Sequence, residues 1–218
     1  MGVALFDLDV TLLDCNSGHL WLRREWKEGR LGVRDAAWAV WMLGQYGLGL
    51  GRLDQAFAQA VSSLAGSDEQ ELARRTTAWF HEDVQQRLRP GARVALASHR
   101  AAGDRLVLAT SGSIYAATDA GRAFGLDEVI GSRFEVVDGR FTGRVSASAF
   151  GAEKAARVAE WAAREAVDLS QAAFYTDSAH DLALMERVGR PVAVNPDRVL
   201  RRIAAERGWA IVDWGRSA

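Results

Sequence analysis

The chain has one cysteine and two lysines among 218 residues, and no large excess of either charge. A lone Cys15 excludes an internal disulfide framework and suits a reducing cytoplasm. A net charge of −1 leaves no basic stripe of the kind that tracks nucleic acid. The most apolar stretch, residues 36–50, falls short of the ~20 residues that span a bilayer. The apolar start, residues 1–6, is too short for a signal-peptide core and is ended by Asp7. Phe6 stands where a myristoylation motif needs serine or threonine. The expectation is a soluble cytoplasmic protein that binds no nucleic acid and has no membrane span. Of 27 cationic residues, only Lys27 and Lys154 are lysines, so 25 are arginines. A chain that uses arginine almost everywhere invites a reason for each remaining lysine, whose ammonium is a compact point charge. Lys27 reads as a solvated surface residue. Lys154 opens a helix.

What the chain does have is four aspartates in two pairs. Asp7 and Asp9 follow the apolar run Val3-Ala4-Leu5-Phe6. Asp177 and Asp181 follow Ala172-Ala173-Phe174-Tyr175. Both runs read as buried strands of a parallel sheet, and open α/β sheets bind ligands just past such strand ends. Gathered carboxylates repel one another unless a cation joins them. Mg²⁺, which takes a few carboxylates plus substrate phosphate oxygens, is the expected cofactor.

Helix and strand alternate in residues 1–15 and 89–218, which predicts an α/β core domain with a Rossmann-like parallel sheet and right-handed crossovers. Residues 16–88 read as helices only, an inserted four-helix cap domain. Its helices are expected from Ser17, as cap, to Lys27; over 34–46, ended by the glycines of 47–51; around Leu53, Phe57, Ala60, Val61 and Leu64; and from a Ser67/Gln70 capping box to just before Pro90. In the core, helix 92–102, strand 105–109, a helix ending near Gly125 and a hairpin turning at Asp138-Gly139 follow. Helix 152–166, strand 172–175, helix 181–188, strand 191–194, a helix capped by Asn195 with Pro196 at its first position, and strand 210–212 complete the chain.

These residues allow phosphoryl transfer. A carboxylate can attack phosphorus and form an aspartyl-phosphate, which divides a hard hydrolysis into two steps. Asp7 is the candidate nucleophile and a metal ligand. Asp9 is close enough to protonate the leaving oxygen and then activate water. Thr11 can hold the loop through a hydroxyl bond to the backbone. Ser111, with Gly112 beside it, offers a hydroxyl and backbone N–H to phosphate, although Ser111 alone would read as a helix cap. Lys154 offers positive charge to the phosphoryl oxygens. Asp177 is a second metal carboxylate, and Asp181 ligates or orients from the next turn.

The set resembles the haloacid dehalogenase superfamily of phosphohydrolases across the whole chain. Asp7-Leu8-Asp9-Val10-Thr11 is similar to its first motif, Ser111 to its second, Lys154 to its third, and Asp177 to Asp181 to its fourth. The helical insertion resembles the family's first cap type, and the subgroup that includes phosphoserine phosphatases is the nearest likeness. The resemblance implies the nucleophile, the acid/base role and Mg²⁺ at Asp7, Asp9, Asp177 and Asp181. It also implies phosphate rather than halide chemistry, because dehalogenases lack the second aspartate of the first motif. Two positions depart from it: Val10 stands where glycine or serine is frequent, and Thr176 where glycine is. Asn16 stands where phosphoserine enzymes carry a glutamate for the substrate ammonium. Histidinol phosphate and lipid or alcohol phosphates are therefore expected beside phosphoserine.

His19 and Arg23, one helical turn apart near Asn16, are candidate substrate contacts or a solvated helix face. Trp21, Trp26, Trp38, Trp41 and Trp79 read as cap core, with an apolar substrate pocket or a cap-mediated homodimer as the alternative. His180 reads as a bystander, and His81 and His99 carry no argument. A phosphotransferase using the same intermediate remains open. A receiver-type signalling module also clusters aspartates, Mg²⁺ and a lysine, but it places its acids side by side and has no helical insertion.

Overall fold

In the computed structural model, residues 2–30 and 53–217 are described, with only the backbone of 53–56 included. A seven-stranded sheet runs through the molecule in the order β4-β3-β2-β1-β5-β6-β7. Its strands are β1 (Val3–Phe6), β2 (Arg105–Ser113), β3 (Glu128–Val137), β4 (Arg140–Ala147), β5 (Ala173–Thr176), β6 (Arg190–Val194) and β7 (Ala210–Val212). All neighbours pair in parallel except β3 and β4. The described helices are α1 (Ser17–Lys27), α2 (Leu53–Ser62), α3 (Glu69–Trp79), α4 (Pro90–Ala101), α5 (Ile114–Phe124), α6 (Ala152–Arg164), α7 (Leu182–Met185) and α8 (Arg198–Arg207).

Side chains alternate across a strand, and β1 shows the consequence. Ala4 and Phe6 face a core built with Ala92 and Leu96 of α4 and Ala116, Ala117, Ala120 and Phe124 of α5. Val3 and Leu5 face the opposite core, with Ala155, Val158 and Trp161 of α6, Leu184 of α7 and Leu200 of α8. Helices thus cover both faces, the expected Rossmann-like architecture. The chain leaves β1 toward β2 on one side and later returns to β5 on the other. This reversal opens the crevice beyond β1 and β5.

Several expected boundaries move for local reasons. Asn16, not Ser17, caps α1, accepting from the His19 N–H at 3.1 Å. Asp68, not Ser67, caps α3, accepting from the Glu71 N–H at 2.9 Å. Here a carboxylate was available one residue beyond the hydroxyl. The helix expected to run from Ser67 to just before Pro90 stops at Trp79 and passes into a wound turn at Phe80–Val84 and a 3₁₀ turn at Gln85–Arg87. Asp197 caps α8 through the Leu200 N–H at 2.7 Å, so Asn195 and Pro196 lie before that helix. Asn195 instead accepts from the Trp214 N–H. Strand β2 extends to Ser113 by pairing with Ser132, and the Asp138-Gly139 turn has φ of 50° and 73°, as a two-residue hairpin requires. The expected helix 34–46 and its glycine-rich end, with Trp38 and Trp41, lie outside the described residues. Trp79 is buried and meets Trp21 edge to face, whereas Trp26 is 51% exposed.

Two connections join the helical block to the sheet, and they are paired. Leu13 and Leu88 form an antiparallel bridge, with Asp14 N–H donating to Arg87 O at 3.0 Å and Arg89 N–H to Leu12 O at 2.9 Å. The block also rests on the β3–β4 hairpin. Gly66 N–H donates to Phe141 O, Phe141 N–H to Ser67 O and Glu69 N–H to Gly139 O. No described helix is long and apolar enough to cross a membrane.

Candidate active site

Asp7 directly follows β1, where its N–H donates to Tyr175 O of β5 at 2.9 Å. That bond continues the parallel ladder one residue past the strand and fixes where the carboxylate leaves the sheet. Lys154, in the first turn of α6, is only 2% exposed. Its Nζ donates to Asp7 Oδ1 at 2.9 Å and lies 2.8 Å from Asp181 Oδ1. Asp181 also accepts from the Thr176 hydroxyl at 2.7 Å. The Thr11 hydroxyl donates to Asp177 Oδ1 at 3.1 Å and accepts from the Asp177 N–H at 3.0 Å. Thr11 therefore ties the first acidic loop to the second, rather than to its own backbone.

The electrostatics follow from this packing. Burial raises the Asp7 carboxyl to about 7; Lys154 opposes the rise, and Asp181 and Asp9 add to it. Burial raises Asp177 to about 8, with Asp7 as the next cause. Burial would strip the Lys154 ammonium of its proton, but Asp181 and Asp7 together hold its pKa above the ordinary lysine value. Asp9 accepts from the Ser17 N–H at 2.7 Å. Burial nonetheless lifts its carboxyl above the ordinary value.

The loop between β1 and α1 is wound tightly. Val10 has φ 59° and ψ −7°, left-handed values that a β-branched residue rarely adopts. Such a residue stores on the order of 1–3 kcal/mol and persists only where its surroundings fix it. Glycine, frequent at this place in the resembling family, would carry no such strain. Here Leu13 N–H donates to Leu8 O and Val10 N–H to Cys15 O.

The structure thus joins Asp7, Lys154 and Asp181 by direct bonds, and Thr11 with Asp177. Ser111 lies in β2 at the same edge, and its main-chain oxygen accepts from Ser132. The cap of α5 is Ser113, so Ser111 is not a helix cap; its hydroxyl has no hydrogen bond among the described residues. Gly112 N–H donates to the Thr110 hydroxyl, which turns the strand end. The Asn16 side chain is occupied as the α1 cap, and His19 and Arg23 lie exposed on that helix.

Among the described residues, no three His, Cys, Asp or Glu side chains form a ready-made metal cluster. Both Asp181 oxygens are engaged by Lys154, and the Asp9 carboxylate faces the start of α1. Asp7 and Asp177 remain, one carboxylate buried and the other half-buried, with Asp7 disfavouring the charged form of Asp177. This pair fits Mg²⁺, which takes one or two protein carboxylates and leaves other positions to water and phosphate.

Three contributions carry little signal in the sequence. Thr176, read as a departure, orients Asp181. His99, which carried no argument, bonds Asp104 at 2.7 Å and the Tyr175 hydroxyl at 2.8 Å, beneath the strand that anchors Asp7. Arg89 grips the loop that follows Asp7; its only sequence mark is its place where the helical block rejoins the sheet.

Lys154→Met should lower stability by about 3–5 kcal/mol in urea unfolding at pH 8, because it leaves buried carboxylates without their cation. A loss below about 1 kcal/mol would mean that the two aspartates do not depend on it.

The comparisons with known proteins fit this geometry. Residues 4–186 match the family model of haloacid dehalogenase-like hydrolases. The chain is 33% identical to the "Inhibition of morphological differentiation protein" of Streptomyces azureus, over 98% of this chain and 78% of that one. It is 30% identical to the "Histidinol-phosphatase" of Neisseria meningitidis, over 97% of this chain and 98% of that one. A solved Bordetella pertussis protein of unknown function superimposes with a TM-score of 0.86 at 34% identity, covering 97% and 98% of the two chains. The chain belongs to the haloacid dehalogenase-like hydrolases.

Proposed function

We propose that this enzyme is a Mg²⁺-dependent phosphomonoesterase acting on a small phosphorylated metabolite through an aspartyl-phosphate. The observation that carries this reading is Asp7, fixed at the end of β1 and held through Oδ1 by Lys154. Its Oδ2 has no hydrogen bond among the described residues and serves as the attacking oxygen. Asp9 serves as the acid for the leaving oxygen, and burial, which raises its pKa, favours that role. Once the alcohol departs, the same carboxylate takes a proton from water, which opens the aspartyl-phosphate. Lys154 and the free Ser111 hydroxyl face the transferred oxygens. Asp7 and Asp177 would hold Mg²⁺, which would neutralise charge on the phosphoryl group. Asp181 acts by orienting Lys154.

In this reading residues 16–88 form the cap and limit the site to small substrates. Histidinol phosphate is the first candidate. The Neisseria relative carries that activity in its name, and the neutral Asn16 offers no carboxylate to the ammonium of phosphoserine. The lone Cys15 suits work in the cytoplasm. The test is phosphate release from histidinol phosphate, phosphoserine, glycerol phosphate, a lysophosphatidate and an aryl phosphate, with and without Mg²⁺. The expected result is Mg²⁺-dependent release, with histidinol phosphate giving the highest kcat/KM. Equal turnover with and without Mg²⁺ would refute the metal role, and a best substrate other than histidinol phosphate would reassign the cap's specificity.

A further inference from the structure

Arg89 is 5% exposed, yet among the described residues its guanidinium has no carboxylate at ion-pair distance. Its donors go to main-chain carbonyls instead. Nε lies 3.2 Å from Val10 O and 3.2 Å from Leu13 O, and Nη2 lies 3.0 Å from Val10 O. Nη1 donates to Gly215 O. One planar fork therefore joins the nucleophile loop to the chain's last segment. That segment is itself held: Gly91 N–H donates to Trp214 O, and Ser217 N–H to Asp14.

The carbonyl that Arg89 grips twice belongs to the left-handed residue of the loop, Val10. Its neighbours are Asp9 and Thr11. Turning the Val10 peptide would swing both, and Thr11 would leave Asp177. A conformation this strained needs outside fixation, and a guanidinium supplies it in a geometry that an ammonium does not match.

We propose that Arg89 is a positioning residue for the hydrolysis. It touches no reacting atom. It sets the Val10 carbonyl and thereby the places of Asp9 and Thr11. The proposal rests on the phosphatase reading for its kinetic consequence, and on the loop geometry alone for its structural one.

A cavity of about 370 Å³, lined by Val10, Arg89, Asn195, Asp213, Gly215 and Arg216, adjoins the guanidinium and can admit a small cation. The experiment compares Arg89→Ala and Arg89→Lys with the wild-type full chain, using the best ester of the panel. Arg89→Ala should lose roughly 10- to 100-fold in kcat, the cost of a misplaced catalytic group, with KM within about twofold. Millimolar methylguanidinium should restore kcat at least several-fold in that variant, whereas sodium chloride of equal ionic strength should not. Arg89→Lys should not regain full kcat. Hydrogen exchange over residues 8–15 is read in the same samples. Faster exchange confined to that loop, at an unchanged melting temperature, is expected whether or not any ester is turned over. Wild-type kcat in Arg89→Ala would overturn the proposal, as would exchange that is unchanged or accelerated throughout the chain. An inert wild type with loop-confined exchange would instead count against the phosphatase reading and leave the positioning role supported.

Discussion

Asp7→Asn should abolish Mg²⁺-dependent phosphate release, by roughly 10³-fold or more, while the protein stays folded. The amide is nearly the size of the carboxylate and can still accept from Lys154 at the position of Oδ1, now 2.9 Å away. It cannot attack phosphorus. The folded state should survive, because losing this charge also relieves the repulsion that raises Asp177. The decisive measurement is a single-turnover quench with a ³²P-labelled ester. Wild type should carry acid-stable label on the Asp7 peptide, and Asp7→Asn should carry none. Label appearing elsewhere, or turnover persisting within tenfold of wild type, would remove Asp7 as the nucleophile.

The second large effect is on stability. Asp7 and Asp177 have folded pKa values of about 7 and about 8, against the ordinary 3.8. Both are raised, so the folded state keeps protons that the unfolded chain has already released near pH 4. Stability falls wherever the folded state binds more protons. It should therefore decline as pH rises from about 4 to about 8, by on the order of a few kcal/mol for each group. Asp14, Glu135, Glu165 and Asp168 are shifted downward and act with the opposite sign at lower pH. Mg²⁺ should reverse the decline: at 100 times its Kd it adds about 2.7 kcal/mol above pH 8. It should add little below pH 5, where protons occupy the same oxygens. Urea titrations at pH 5, 6.5 and 8, with and without Mg²⁺, read this directly. Asp177→Asn should flatten the profile and remove the Mg²⁺ increment. A wild-type profile that is flat from pH 5 to 8 would mean that the two carboxylates do not share a crevice.

The sheet was legible because its strands are short apolar runs followed at once by polar groups. Nothing but a buried parallel strand suits Val3-Ala4-Leu5-Phe6 followed by aspartate, and β1 is buried on both faces. The joining of Lys154 to Asp7 could be anticipated from the scarcity of lysine, although its 2.9 Å contact spans 147 positions. Helix ends were less legible. Ser17 beside Asn16, or Ser67 beside Asp68, offers two adequate caps, and packing on α3 and the hairpin decides between them. The role of Arg89 was not legible beyond its place where the helical block rejoins the sheet. In a chain with 25 arginines, composition cannot distinguish a guanidinium that holds carbonyls from those that coat the surface.

The paired linkers at Leu13 and Leu88 have a consequence for how such chains diversify. To the sheet, everything between those two residues is a single excursion whose mouth is already stitched shut. Lengthening an excursion costs little, about 0.6 kcal/mol per doubling, once its ends are held. Where the block does not meet the core, residues can therefore be added, removed or exchanged at little cost, whereas Ser17 beside Asp9, residues 66–69 on the hairpin, and Trp79, Phe80 and Val84 in the core stay tied to the sheet. In the proposed phosphatase reading, new substrates can be tried there by drift, while the chemistry stays as it is.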